Sequence, residues 1–144
     1  MKDRPLILCV DDDPIILGAL RHLLEGAGNQ VVTAENGGDA LNLARTKSVD
    51  LALLDIRVPE MSGIEVLEEL KAHDANVYVI MVSSVEDIST TLEAMGKGAH
   101  DYIGKPINAR QLLTSVEQAL ELKRVTQLEA SQLQSEKWVR RANR

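Results

Sequence analysis

Five short strand-like runs, each followed by a stretch with helical spacing, limit what this chain can fold into more than any other feature. The runs fall near residues 6–10, 30–34, 50–54, 77–82 and 101–104. In Leu6-Ile7-Leu8-Cys9-Val10 and Leu51-Ala52-Leu53-Leu54 the apolar residues are consecutive rather than alternate. A strand that is apolar on both faces needs cover on both faces, which is the pattern of parallel strands enclosed by helices. The segments between them, near 14–26, 37–47, 63–73, 85–97 and from 108 onward, carry apolar residues at helical spacing. The alternation predicts an α/β fold: a doubly wound, parallel five-stranded sheet of (βα)5 form with an extended C-terminal helix.

Local capping chemistry supports the helix starts. Asp13-Pro14 reads as an N-cap followed by proline at the first helical position. Asn36 with Asp39, Ser84 with Asp87, and Asn108 with Gln111 have capping-box spacing. Gly26 and Gly28 stop the first helix, and Gly96 and Gly98 stop the fourth.

Parallel strands end on one edge of their sheet, and open α/β folds bind their ligands at that edge. Four strand ends here carry chemistry: Asp11-Asp12-Asp13 after the first run, Asp55 after the third, Ser83 after the fourth and Lys105 after the fifth. Clustered carboxylates with one lysine and one hydroxyl suit a divalent metal and a phosphoryl group. Asp13 alone reads as the helix cap, and Cys9, inside a strand run, reads as a small buried hydrophobe.

Composition narrows the setting. The 144 residues fit one domain, and with no Phe and a single Trp the core must be built from aliphatic side chains. The net charge of −6 is uneven: from Glu121 onward six Lys/Arg face three Glu, a net of +3, which leaves −9 on residues 1–120. An acidic body argues against nucleic-acid binding by this chain. One cysteine permits no disulfide within the chain. No signal-like segment and no membrane-length apolar stretch is visible, so the expected setting is cytoplasmic, with no membrane partner.

The motifs Val10-Asp11-Asp12-Asp13-Pro14, Asp55 with Pro59-x-Met61-x-Gly63, Ser83-Ser84, and Gly98-Ala99-x-Asp101-Tyr102-x-x-Lys105-Pro106 resemble, in order and spacing, the receiver domain of two-component response regulators. The resemblance covers about residues 5–120 and implies a flavodoxin-like, chemotaxis-regulator-like fold. It implies that Asp55 accepts a phosphoryl group from a sensor histidine kinase or histidine phosphotransfer protein. It also implies Mg²⁺ as cofactor, held by Asp12 and Asp55 directly, by Asp11 through a water, and by the Arg57 main-chain carbonyl. Lys105 would neutralise charge in the transfer. Ser83 and Tyr102 would form the conformational readout, and the Lys105-Pro106 peptide would be cis. Ser83 stands where threonine is also used, and Ile107 where the family commonly has phenylalanine. Arg57 and Val85 are expected at the pocket rim, Arg57 as a candidate partner of the phosphoryl group.

These expectations make the protein a signalling switch rather than an enzyme beyond its own phosphotransfer and dephosphorylation. Two other readings stay open. One is a receiver-like scaffold that works without phosphorylation. The other is an aspartyl-phosphate phosphatase using Asp11, from a faint Asp11-x-Asp13 likeness to haloacid-dehalogenase-like enzymes.

Residues 1–120 are thus expected to form the receiver and 121–144 a helical tail, either a linker to an effector domain or a dimerisation segment. Beyond about Leu120 the helix is expected to have nothing left to cover. A seam through Val125 and Leu128 continues into Gln132 and Ser135, so its coiled-coil signal is weak and a homodimer stays open. Trp138 with Arg140, Arg141 and Arg144 reads as a solvated tail.

Overall fold

The alternating runs become five strands and five helices in a computed structural model that describes residues 4–142, the Val85 side chain excepted. Arg144 and the Val85 side chain, both named above, lie outside the described residues. The elements are β1 (Leu6–Val10), α1 (Pro14–Gly26), β2 (Gln30–Ala34), α2 (Gly37–Thr46), β3 (Leu51–Asp55), α3 (Gly63–His73), β4 (Tyr78–Ser83), α4 (Ile88–Gly96), β5 (Asp101–Gly104) and α5 (Ala109–Ala142). A single 3-10 turn, Val85–Asp87, leads into α4.

All strand pairs are parallel, in the order β2-β1-β3-β4-β5. The chain winds outward from β1 to β2, then returns to the other side of β1 with β3. That reversal opens a crevice beyond the C-terminal ends of β1 and β3, the switch point at which doubly wound sheets place ligands.

Strand side chains alternate between two cores. Leu8, Val10, Ala52, Leu54, Val79 and Met81 face one side, where Ala40 and Leu41 of α2, Leu67 and Leu70 of α3 and Ala94 of α4 cover them. Ile7, Cys9, Leu51, Leu53, Ile80 and Ile103 face the other, against Leu17, Leu20 and Leu24 of α1 and Leu112, Val116 and Ala119 of α5. Each fully buried aliphatic side chain contributes roughly 1.5–3 kcal/mol relative to exposure, which is how a core without phenylalanine holds together. Ile107 packs against the second core as a partly buried residue.

The expected caps form at three of the four helices named. Asp13 accepts from the Ile15 N–H, Asn36 from that of Asp39 and Asn108 from that of Gln111. Ser84 departs from its expected role. Its side chain caps no backbone N–H, and its hydroxyl instead donates to the Asp87 carboxylate at 3.1 Å. Gly28 and Gly98 take positive φ of 96° and 112°, the left-handed conformation that ends a helix.

The long helix leaves the body later than its apolar residues indicate. Lys123 is buried, and its ammonium donates to the main-chain carbonyls of Asn76 at 2.8 Å and Asp50 at 3.3 Å. Three residues on, Thr126 meets the Tyr78 hydroxyl at 3.4 Å. The expectation that nothing is covered beyond Leu120 is corrected on this point. Farther along, Leu128, Leu133, Trp138 and Val139 are exposed.

Candidate functional site

Backbone geometry alone delivers the acidic group to the crevice. Asp11 and Asp12 are the first residues past β1, and Asp55 is the last residue of β3. β1 and β3 are hydrogen-bonded neighbours, with Val10 opposite Leu54. Oxygens of Asp11, Asp12 and Asp55 all lie within 4.8 Å of one another. Asp11 and Asp55 are buried, only 2% and 6% exposed, while Asp12 is exposed.

Lys105 comes from the far side of the sheet. It follows β5, and its main-chain N–H donates to the Ser83 carbonyl at the end of β4. The peptide bond to Pro106 is cis, as expected. Its ammonium lies 3.0 Å from Asp11 Oδ2 and 3.0 Å from Asp55 Oδ2. Each carboxylate therefore has one oxygen on the lysine and the other on a backbone donor. Asp11 Oδ1 accepts from the Asp13 N–H at 2.9 Å, and Asp55 Oδ1 from the Arg57 N–H at 3.2 Å.

The electrostatics follow from this packing. Burial raises the Asp55 pKa above the ordinary carboxylate value, against the Arg57 N–H and Lys105 contacts that favour the charged form; the Asp11 charge raises it further. For Lys105, burial disfavours the ammonium, but the bonds to Asp11 and Asp55 prevail and its pKa rises. Lys105 thus stays charged between two carboxylates. Cys9, inside β1, has its thiol pushed up to about 12 by burial and is chemically quiet.

The loop after Asp55 returns close beneath it. Glu60 adopts a φ of 74°, and the Gly63 N–H donates to the Ile56 carbonyl at 2.8 Å. A Cβ on Gly63 would lie 2.3 Å from the Asp55 carbonyl oxygen. Glycine is therefore required where α3 begins. Ser62 before it forms a full capping box with Glu65.

Ser83 ends β4 and is buried; Tyr102, on the edge strand β5, is 43% exposed. The Arg57 guanidinium is committed elsewhere than to the acid cluster. Its Nε and Nη2 lie 3.0 and 2.8 Å from Asp87 Oδ1. The structure thus brings Asp11, Asp12, Asp55 and Lys105 into one group and leaves Tyr102 at the sheet edge. Asp13 only caps α1.

Two buried polar residues had no part in the sequence reading of the site. Asp87 reads in the sequence only as a helix-start residue, and Thr91 belongs to no motif. Thr91 is 1% exposed and lies 2.9 Å from the Ser83 hydroxyl. Their separation of four residues on one helical face was the available signal.

Comparison with known proteins agrees with this geometry. The family model of the response regulator receiver domain matches residues 7–117. Transcriptional regulatory protein ZraR of Klebsiella oxytoca is 40% identical over 114 residues, 79% of this chain and 26% of that protein. A cyclic di-GMP phosphodiesterase of Thermotoga maritima is 37% identical over 114 residues, 79% of this chain and 30% of that protein. The chain therefore spans less than a third of either relative. The crystal structure of a response regulator receiver domain protein from Clostridium thermocellum aligns with a TM-score of 0.80 at 31% identity, covering 85% of this chain and 98% of that one. The fold is the flavodoxin-like receiver fold, and no described helix is long and apolar enough to cross a membrane. With the family model spanning most of its length, this chain belongs to the receiver domains of two-component response regulators.

Proposed function

We propose that this receiver accepts a phosphoryl group on Asp55 from a sensor histidine kinase or histidine phosphotransfer protein. The observation that carries the reading is the Lys105 ammonium, 3.0 Å from one oxygen of Asp55 and 3.0 Å from one of Asp11. An Asp55 oxygen attacks the phosphorus of the partner's phosphohistidine. The O–P bond forms as the P–N bond breaks, and its electron pair returns to the imidazole nitrogen. The product is an acyl phosphate.

Charge decides whether this transfer proceeds. Like charges about 4 Å apart repel by roughly 4 kcal/mol at an effective dielectric near 20. Asp11 and Asp12 therefore oppose an arriving phosphoryl dianion, and Lys105 offsets part of that repulsion. The donor set fits Mg²⁺: three carboxylates whose oxygens lie within 4.8 Å, one of them exposed, give hard oxygen ligands with room for retained waters. Asp11, Asp12 and Asp55, with the Arg57 carbonyl, would hold the ion. When bound it supplies positive charge to the phosphoryl oxygens. The chain's own contribution is to hold Asp55 aligned through the Arg57 N–H and Lys105.

Ser83 and Tyr102 serve as the readout in this reading. The Ser83 hydroxyl moves to a phosphoryl oxygen, and the half-exposed Tyr102 ring turns toward the space it leaves. The tail from residue 121 onward is the route by which that change reaches an output domain or a second copy of the chain. Its continuity with the body through Lys123 supports this.

Intact mass after incubation with acetyl phosphate and Mg²⁺ tests the proposal. One phosphoryl group should be gained, with no gain under chelator or in Asp55→Asn. No gain in the native protein would favour a phosphorylation-independent scaffold. Labelling that persists in Asp55→Asn and is lost in Asp11→Asn would favour phosphatase-like chemistry.

A further inference from the structure

Building on phosphoryl acceptance at Asp55, we infer that Thr91 is a positioning residue that holds the Ser83 hydroxyl in its unphosphorylated place. Thr91 lies in the first turn of α4, and its Oγ1 is 2.9 Å from Ser83 Oγ and 2.9 Å from the Asp87 main-chain oxygen. A hydroxyl has one proton to give, and a carbonyl only accepts. Both contacts are hydrogen bonds in one arrangement alone: Thr91 donates to the Asp87 carbonyl, and Ser83 donates to Thr91. The Ser83 proton is then spent on α4. It becomes available to an oxygen on Asp55 only when the Thr91 bond breaks.

The residues behind Thr91 are held as firmly. Asp87 is buried and takes the Arg57 guanidinium on Oδ1 and the Ser84 hydroxyl on Oδ2. The Arg57 main-chain N–H meanwhile donates to Asp55 Oδ1. A continuous set of bonds thus runs from the acceptor through Arg57, Asp87 and Thr91 to Ser83. Phosphorylation of Asp55 acts on both ends of it. The Ser83 end must release Thr91, while the Arg57 end feels the new negative charge beside its own backbone contact.

Thr91 therefore sets how readily Ser83 changes partner. A net buried neutral hydrogen bond changes an equilibrium constant by about fivefold. Removing the bond removes that share of the cost of reaching the bound arrangement, and apparent affinity for a phosphoryl mimic rises accordingly.

The test is a titration of the full chain with beryllofluoride at fixed Mg²⁺, followed by amide NMR shifts. Thr91→Val, which keeps the shape and loses the hydroxyl, should bind about fivefold more tightly than the native protein. Thr91→Ser, which keeps the hydroxyl, should bind as the native protein does. In a Ser83→Ala background, Thr91→Val should change nothing, because the residue acts through Ser83. Thr91→Ala takes the place of valine should the β-branched side chain disturb the fold. Native affinity in Thr91→Val, or a gain that survives in Ser83→Ala, would overturn the role of Thr91 while leaving the acceptor reading intact. A native protein that binds no beryllofluoride would overturn both.

Discussion

Replacing Lys105 with methionine exposes the charge problem that the pocket is built around. The substitution keeps the aliphatic stem and removes the ammonium that lies 3.0 Å from Asp11 Oδ2 and Asp55 Oδ2. The remaining carboxylates have oxygens within 4.8 Å. At an effective dielectric near 20 they repel by about 3.5 kcal/mol. The Lys105 side chain is 24% exposed, so water relieves part of this, and a net loss of roughly 2–3 kcal/mol is expected near neutral pH under chelator. The pH dependence has a definite sign. Burial already raises the Asp55 pKa, and losing the Lys105 bond removes a contact that opposes the rise. The folded variant then holds a proton over a pH range in which the unfolded chain has released it. Its stability therefore falls as pH rises through that range, and the gap from native widens from acid toward neutral. Mg²⁺ should restore more stability to the variant than to the native protein, because the ion no longer competes with an ammonium. Urea unfolding at several pH values, with chelator and with millimolar Mg²⁺, measures all three effects. Equal stability of the two proteins under chelator at neutral pH, or equal increments from Mg²⁺, would refute the electrostatic account.

Other perturbations probe the frame around the pocket. Gly63→Ala places a Cβ 2.3 Å from the Asp55 carbonyl oxygen and 2.9 Å from Ile56 Cα. Backbone atoms cannot swing aside, so a loss of about 2 kcal/mol or more in urea unfolding is expected, and native stability would contradict it. Lys123→Met leaves the Asn76 and Asp50 carbonyls without their donor. It should cost about 2 kcal/mol and speed amide exchange in residues 121–127, with unchanged exchange arguing that the anchor is idle. His100 stacks on Tyr78 and accepts the Val79 N–H on Nδ1, and burial first and the Lys71 charge second lower its pKa below 6.5. The unfolded chain therefore takes up the proton first, so this contribution is full above 6.5 and is lost as pH falls below it. His100→Gln should flatten that slope, and parallel stability curves for the two proteins would rule the contribution out.

Asp11, Asp12, Asp55, Ser83 and Lys105 were legible because their places depend on the backbone alone. Each lies at or just past the C-terminal end of a strand that an apolar run announces, and parallel strands end on one edge. No side-chain detail is needed to bring them to that edge. The parallel sheet with helices on both faces was equally accessible, since apolar runs on consecutive residues demand two covered faces. Arg57 was expected as a candidate partner of the phosphoryl group, but its guanidinium meets Asp87, a residue thirty positions away. Ser84 and Asp87 have capping-box spacing, yet the carboxylate spends both oxygens on Arg57 and Ser84 side chains, and no backbone cap forms.

What the sequence hid shares one property: its place is set by which partner a side chain finds. In α5 the buried positions Leu112, Val116, Ala119 and Lys123 step by four, three and four, an unbroken helical stripe. Read by residue type, the stripe stops at Ala119 and the helix should leave the body there. Read by position, it continues, because a lysine stem is apolar and needs only an acceptor for its tip. The residue just before β3 and the α3–β4 connection present those acceptors as carbonyls of Asp50 and Asn76. Thr91 obeys the same logic one helix earlier. It is a polar residue on a buried face, tolerated because Asp87 and Ser83 complete its bonds. A charged or hydroxyl residue that falls in register with an apolar stripe is therefore the sequence sign of a buried polar contact. In this chain both such residues tie a helix to the sheet, Thr91 joining α4 to the end of β4 and Lys123 joining α5 to the residues just before β3 and β4.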